Sequence, residues 1–195
     1  MTSPGAAELD RILDLGFLEG SSNVHPGQGT ANRRIFFRNA KLEFLWVCDE
    51  ADVRSPAIAR TRLWERSRSE HTGYSPFGIC LRWSSSEKCK SLPFETWDFR
   101  PPYLPSSLKI DVASQTKPSE PMIFMTPFSK RPDALTGDRA QPLNHPNGCR
   151  TLTRVALAIP GSEPLSEAAT VLAECADIHI HRHDRFSLDI ECDRD

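Results

Sequence analysis

One glutamate, Glu43, interrupts the apolar run KLEFLWV at 41–47, where an unpaired carboxylate would be costly if the run were a buried strand. The alternating run ANRRIFFR at 31–38 precedes it, and the two read as a β-hairpin turning at Asn39-Ala40. That turn sets Phe37 opposite Leu42, Phe36 opposite Glu43, Ile35 opposite Phe44 and Arg34 opposite Leu45. Because the pleat alternates, Ile35, Phe37, Leu42, Phe44 and Trp46 share one face, apolar enough to pack under a helix. The other face carries Arg34, Phe36, Arg38, Lys41, Glu43 and Leu45. On a half-solvated sheet Glu43 is a cross-strand ion pair worth roughly 0.2–1 kcal/mol. On a face that lines a concave pocket it is a metal ligand or a general base.

Further polar candidates surround the hairpin. His25 opens the loop HPGQGT at 25–30 and, with Thr30 and Asn32, places polar groups at the rim of such a pocket; the alternative is a turn or capping histidine. The loop glycines are no phosphate cradle, since neither a helix nor a Lys-Ser/Thr pair follows them. In FGICLRW (77–83), Gly78, Cys80 and Arg82 share a face, so Arg82 is a candidate to enter the same pocket and fork onto a ligand carboxylate or phosphate, against a structural ion pair. Cys80 has no base beside it in sequence to make it a nucleophile. Trp97, Phe99, Arg100 and Tyr103 in ETWDFRPPYLP combine aromatic bodies with a proline-stiffened backbone and suit a rim or lid. His145 in NHPNG is another loop histidine. In DIHIHRHD (177–184) three histidines alternate on one strand face, but a hairpin with 186–191 puts Ile180 beside Leu188 and Ile178 beside Ile190. His179 then lies near Asp189 and His181 near Ser187, a solvated polar face.

The elements that must position these groups follow from periodicity. Leu9, Ile12 and Leu13 predict a helix over 6–15 closed by Gly16. Ser55-Pro56 opens a predicted arginine-rich surface helix over 57–68. Strands are expected at 77–83, 108–113, 122–126 and 152–159, and a helix through Leu165, Ala168, Ala169 and Leu172. The proline-rich stretch 93–105 reads as connection, as does 130–150. The C-terminal third is strand, helix, strand, strand, and the N-terminal third repeats it without an opening strand. The bare sheet edge this leaves calls for a partner chain, a homodimer, or an N-terminal extension.

Composition bounds the class. The 195 residues, 38% hydrophobic and 26% charged, suit one globular α+β domain. A net charge of −2 with interspersed signs predicts neither a nucleic-acid nor a membrane partner. Six cysteines without CxxC spacing read as reduced thiols, and with no apolar leader or spanning run the expected location is cytoplasmic.

The pieces HPGQGTANRR, AKLEFLWV, SPFGICLR and LNHPNG before TRVALAIP, in that order over residues 3–192, resemble the glyoxalase-like branch of the vicinal oxygen chelate superfamily. The resemblance implies repeated βαβββ modules, here about 1–50, 74–128 and 150–192, whose curled sheets form a cup for a small organic molecule. Metal-dependent relatives place a His on a module's first strand and a Glu on its fourth. Glu43 matches that glutamate, the first His strand is missing, and Gly78 and Phe124 stand at the second module's ligand positions. The divalent metal is therefore left with an incomplete ligand set. The implied function is a lyase- or isomerase-type reaction with Glu43 as acid/base or metal ligand, or ligand sequestration as in antibiotic-resistance relatives. Ligand contacts are expected from His25, Asn32, Arg34, Arg82, Trp97, Arg100 and His145.

Overall fold

The computed structural model describes residues 1–83, 91–175 and 177–194, so Cys89 lies outside the described residues. Helix α1 (Ala7–Leu13) is followed by β1 (Asn23–His25), β2 (Thr30–Phe36) and β3 (Lys41–Val47), an antiparallel sheet in the order β1-β2-β3. The β2–β3 register pairs Arg34 with Glu43, Ile35 with Leu42 and Phe36 with Lys41. The Phe37 amide donates to the Ala40 carbonyl at 2.8 Å, so the chain reverses at Arg38-Asn39, one residue before the expected turn. Asn39 is held there by β8 (Cys149–Ile159), donating to the Leu152 carbonyl and accepting from the Leu152 amide. The pairing slips by two residues, an even number, so every side chain keeps its predicted face. Ile35 and Phe37 are fully buried with Leu42, Phe44 and Trp46 against Leu9, Ile12 and Leu13 of α1 and against Cys149 and Leu152. Thr2 donates its amide to the Leu45 carbonyl, covering that point of the β3 edge.

The second sheet comprises β4 (Gly78–Leu81), β5 (Thr96–Phe99), β6 (Ile110–Ala113) and β7 (Met122–Met125) in the order β4-β7-β6-β5, with β4 parallel to β7 and the rest antiparallel. The stretch expected to be only connection thus contains a strand, β5, because Trp97 and Phe99 alternate with polar neighbours and join an apolar face. That face, with Ile110, Val112, Met122 and Phe124, packs on Leu45 and Val47 of the first sheet. The opposite face buries Ala113 and Ile123 against Ala168, Ala169 and Leu172 of α5 (Glu167–Ala173).

In place of the predicted helix over 57–68 stand a 3-10 turn at Ala59–Thr61 and α3 (Leu63–Ser67), flanked by α2 (Glu50–Val53) and α4 (Ser69–Thr72). Ile58 and Leu63 of this segment and Val53 before it are buried in one cluster and are five apart, a spacing that a continuous helix does not place on one face. Arg62, at φ 58°, supplies the break, and Arg66 turns inward and is buried.

The third sheet has the order β10-β8-β9, with β9 (Ile178–Arg182) parallel to β8 across the α5 crossover and β10 (Ser187–Arg194) antiparallel to it. The expected β9–β10 hairpin does not form. The buried run Ala156–Ile159 takes a neighbour on each side, and β8 is inserted between the predicted partners. Their levels survive: Leu157 is flanked by Ile180 and Leu188, Val155 by Ile178 and Ile190, and Ala156 by His179 and Asp189. The whole is an α+β arrangement of three open sheets. Among the described residues no helix is long and apolar enough to cross a membrane.

Two tertiary ties stand out. Cys149 and Cys192 form a disulfide, their Cα atoms 5.7 Å apart, which corrects the reading of all cysteines as reduced thiols; Cys48, Cys80 and Cys175 are free. The fully buried Glu120 carboxylate accepts from the Ser166 amide (2.7 Å), the Ser166 hydroxyl (2.6 Å) and the Lys117 amide (2.9 Å), while Ser166 caps α5. Replacing Glu120 by Ala leaves these donors unpaired and is expected to cost about 2–4 kcal/mol in urea unfolding. Ser166→Ala is expected to cost about 1 kcal/mol. Alkylation of the unfolded, unreduced protein should leave Cys149 and Cys192 unlabelled in a tryptic mass map, and labelling of both would overturn the pairing.

Candidate functional site

The inner face of the first sheet collects four of the candidate residues. Across β1–β2–β3 the register aligns His25, Thr30 and Val47 on one rung, and Asn23, Asn32 and Leu45 on the next; Arg34 and Glu43 follow. Directly opposed residues share a face, so His25, Asn32, Arg34 and Glu43 all point toward the second sheet. Leu45 and Val47 fill the interlayer core at one end. Arg34, Glu43 and Lys41 lie toward the other end, while His25, Thr30 and Asn32 share the rungs of Val47 and Leu45.

The loop HPGQGT shapes the end that carries His25, Thr30 and Val47. Gly27 and Gly29 take φ of 75° and 74°, and a Cβ on Gly27 would meet the Pro102 side chain at 2.8 Å. A Cβ on Gly29 would collide with the Asp49 carbonyl. That close approach carries Tyr103 over His25, their ring centroids 4.8 Å apart. His25 Nδ1 lies 3.0 Å from Thr30 Oγ1, which also accepts from Gln28 Nε2 at 2.7 Å. The one Thr30 hydroxyl proton is then free for Nδ1, an assignment that places the imidazole proton on Nε2. Burial holds the His25 pKa below its usual value, opposed by the charge of Glu43, so the ring is neutral at pH 7.

Glu43 Oε1 pairs with Lys41 Nζ at 2.7 Å, and its side chain is 33% exposed. Arg34, although directly across the ladder, turns to Ser21, whose carbonyl and hydroxyl accept from it at 2.6 and 2.9 Å, and to the Ser22 carbonyl. Burial pushes the Tyr103 phenol up to about 12, with smaller contributions from Glu43 and Cys80. The Cys80 thiol is likewise raised, by burial first and by Glu43, and its Sγ sits 3.3 Å from Thr126 Oγ1. Cys80 is nevertheless reached by solvent. Cys80 shares the Phe124 face of the second sheet, which is turned to the first sheet, and the charges of Glu43 and Lys41 act on its thiol. Asn32 is 1% exposed, and neither its Nδ2 nor its Oδ1 has a hydrogen-bond partner among the described residues. Such a buried orphan costs roughly 1–3 kcal/mol.

The remaining candidates stand elsewhere. Arg82 donates to the Asn39 and Trp83 carbonyls, at 3.0 and 3.5 Å, and ties the end of β4 to the first hairpin's turn. Arg100 is exposed and bonded to the Ser106 carbonyl and Asp98. Trp97 lies in the interlayer core under the Arg60 guanidinium, 4.3 Å away. His145 is on the α1 side of the sheet, 1% exposed between Phe17 and Phe37. Its Nδ1 accepts from the Leu18 amide and its Nε2 donates to the Phe36 carbonyl, so both ring nitrogens serve the backbone. His179 and His181 are exposed on β9. Gln28 and Lys41 join the site without having been singled out as ligand contacts: Gln28 through its bond to Thr30, and Lys41, already on the Glu43 face by alternation, through its ion pair with Glu43.

A divalent metal does not fit. Among the described residues no three His, Cys, Asp or Glu side chains converge to hold one, and the Glu43 carboxylate is already engaged by Lys41. In comparisons with known proteins, no family model, no curated protein and no solved structure matches the chain.

His25 and His145 both have pKa values held below 6.5 by burial. The unfolded chain binds protons at these positions from pH 6.5 downward before the folded chain does, so their contribution is intact above pH 6.5 and is lost as pH falls toward the depressed folded values. Denaturant unfolding from pH 8 to 5 should show stability dropping below about pH 6.5, with a shallower drop in His25→Gln.

Proposed function

We propose that this chain is a glyoxalase-like small-molecule-binding protein of vicinal oxygen chelate type, taking a polar organic ligand in a recess between the first two sheets beside Asn32 and Glu43. The observation that carries the reading is Asn32: a buried amide with both ends unpaired, on the same face as His25, Arg34 and Glu43. A ligand carbonyl or hydroxyl there would satisfy what the protein leaves unsatisfied. His25 Nε2 adds a donor, Lys41 and Glu43 a pair of fixed charges, and Tyr103 a cover. The order β4-β7-β6-β5, in which a leading strand closes parallel onto the last of three antiparallel strands, also supports the module type. The implied partners are a small molecule and, along the β3 edge beyond Thr2, a second copy of the chain; a cytoplasmic location belongs to the same proposal on the sequence reading alone, since the Cys149–Cys192 disulfide points to an oxidising compartment.

Sequestration is favoured over turnover because Glu43 and Arg34 are already engaged, by Lys41 and by Ser21 and Ser22. One observation favours the enzymatic alternative, a lyase- or isomerase-type proton transfer: a neutral imidazole, oriented by Thr30, is within electrostatic reach of Glu43.

A ligand-observed NMR screen of small polar fragments tests the reading. Hits on the wild type should lose at least about tenfold in affinity in Asn32→Leu and in Glu43→Gln. Without ligand, Asn32→Leu should be more stable than the wild type by about 1–3 kcal/mol, since the orphaned amide is gone. Hits that bind both variants as well as the wild type would remove the recess as the site.

A further inference from the structure

A second cavity lies on the far side of the interlayer core, between the broken helical segment and β5–β6. It encloses about 170 Å³ and is lined by Arg60, Arg62, Arg66, Tyr74, Ser114 and Thr116 among others, with no Asp or Glu in its wall. Arg66 is 5% exposed, yet among the described residues no carboxylate forms a salt bridge with it. Its Nη1 donates to the Ser75 and Glu120 carbonyls, at 2.9 and 3.0 Å. Its Nε is buried without a partner, and Nη2 has none among the described residues. Burial pushes the Arg66 pKa down to about 10, so the group stays charged at neutral pH.

Glu65 and Glu120 act on this buried guanidinium only through their charge, without a salt bridge, and a buried cation with donors to spare is strongly destabilising unless something completes its contacts. The surroundings indicate what that is. Arg60 has no ion pair among the described residues and is pinned by its stack on Trp97 at 4.3 Å, so its charge is held at the cavity's rim. Arg62, by contrast, is spent on Glu65 at 3.1 Å. The Ser114 and Thr116 hydroxyls have no hydrogen-bond partner among the described residues. Two cationic forks and two hydroxyls around a small hollow form a donor-rich set that matches a tetrahedral dianion better than a neutral or cationic molecule.

We propose that this cavity is a binding site for a phosphate group, held by Arg60 and Arg66 with Ser114 and Thr116 as hydroxyl donors. It is separate from the recess at Glu43, and neither site depends on the other.

Isothermal titration of the whole chain with inorganic phosphate, at fixed ionic strength in chloride, tests this. The expected result is saturable binding that weakens at least about tenfold in Arg60→Gln and in the double variant Ser114→Ala, Thr116→Ala. Arg62→Gln should stay within about threefold of the wild type, since that side chain is committed to Glu65. These three variants leave Arg66, whose loss would disturb folding, in place. Glycerol phosphate and acetate are titrated in parallel: binding of the monoester extends the site to phosphorylated small molecules, and acetate should not bind at the same concentration. No saturable phosphate binding, equal binding of acetate, or an Arg60→Gln variant that binds like the wild type would overturn the proposal. Glu43→Gln should leave phosphate binding unchanged, so that failure here is distinguishable from failure at the recess.

Discussion

The pleat of β2 is the constraint on which the rest of the structure rests. Successive residues from Thr30 to Phe36 point to opposite sides of one sheet, and both sides are covered. Ile35 goes into the packing with α1 and β8, while Thr30, Asn32 and Arg34 go toward the second sheet. A slip of one residue would exchange these sets, putting Arg34 into an apolar core and Ile35 into a polar recess. The structure moves the turn but changes the pairing by an even number, so the assignment of faces is preserved.

Around that strand, polar groups are handled in two different ways. Most buried ones are saturated: Glu120 accepts three hydrogen bonds and His145 uses both ring nitrogens on backbone groups. These are structural ties, and they join segments more than a hundred residues apart in the case of His145. Asn32 and Arg66 are the exceptions, buried with donors or acceptors unspent. In a protein of marginal stability such groups are a standing cost, and Arg66 borders a cavity with room for something else.

How much was legible followed from how local the signal was. Alternation in 31–38 and 41–47 identified the hairpin and its two faces, with Glu43 on the face opposite Ile35 and Phe37. Helical spacing located α1 and α5. Strand β5 went unread because the prolines around it outweighed four residues of alternation. The segment 57–68 read as a surface helix because its arginines suggested solvent, whereas Ile58 and Leu63, with Val53 before them, follow a five-residue spacing that belongs to a broken chain wrapping a core. His145 and Arg82 looked like ligand contacts because a loop histidine and a strand arginine carry no mark of the backbone carbonyl they will meet.

By itself the amino-acid order determined what each segment presents: which residues alternate, which lie on one helical stripe, and so which side chains can share a face. Local sterics and period decide that much, and they act within a few residues. Tertiary structure decided who meets whom. It placed β8 between β9 and β10, closed Cys149 on Cys192, laid Tyr103 over His25 and drew Arg66 inside beside Trp97's cavity. Those outcomes depend on packing between layers and on backbone donors and acceptors far away in the chain, and neither has a signature in the local pattern.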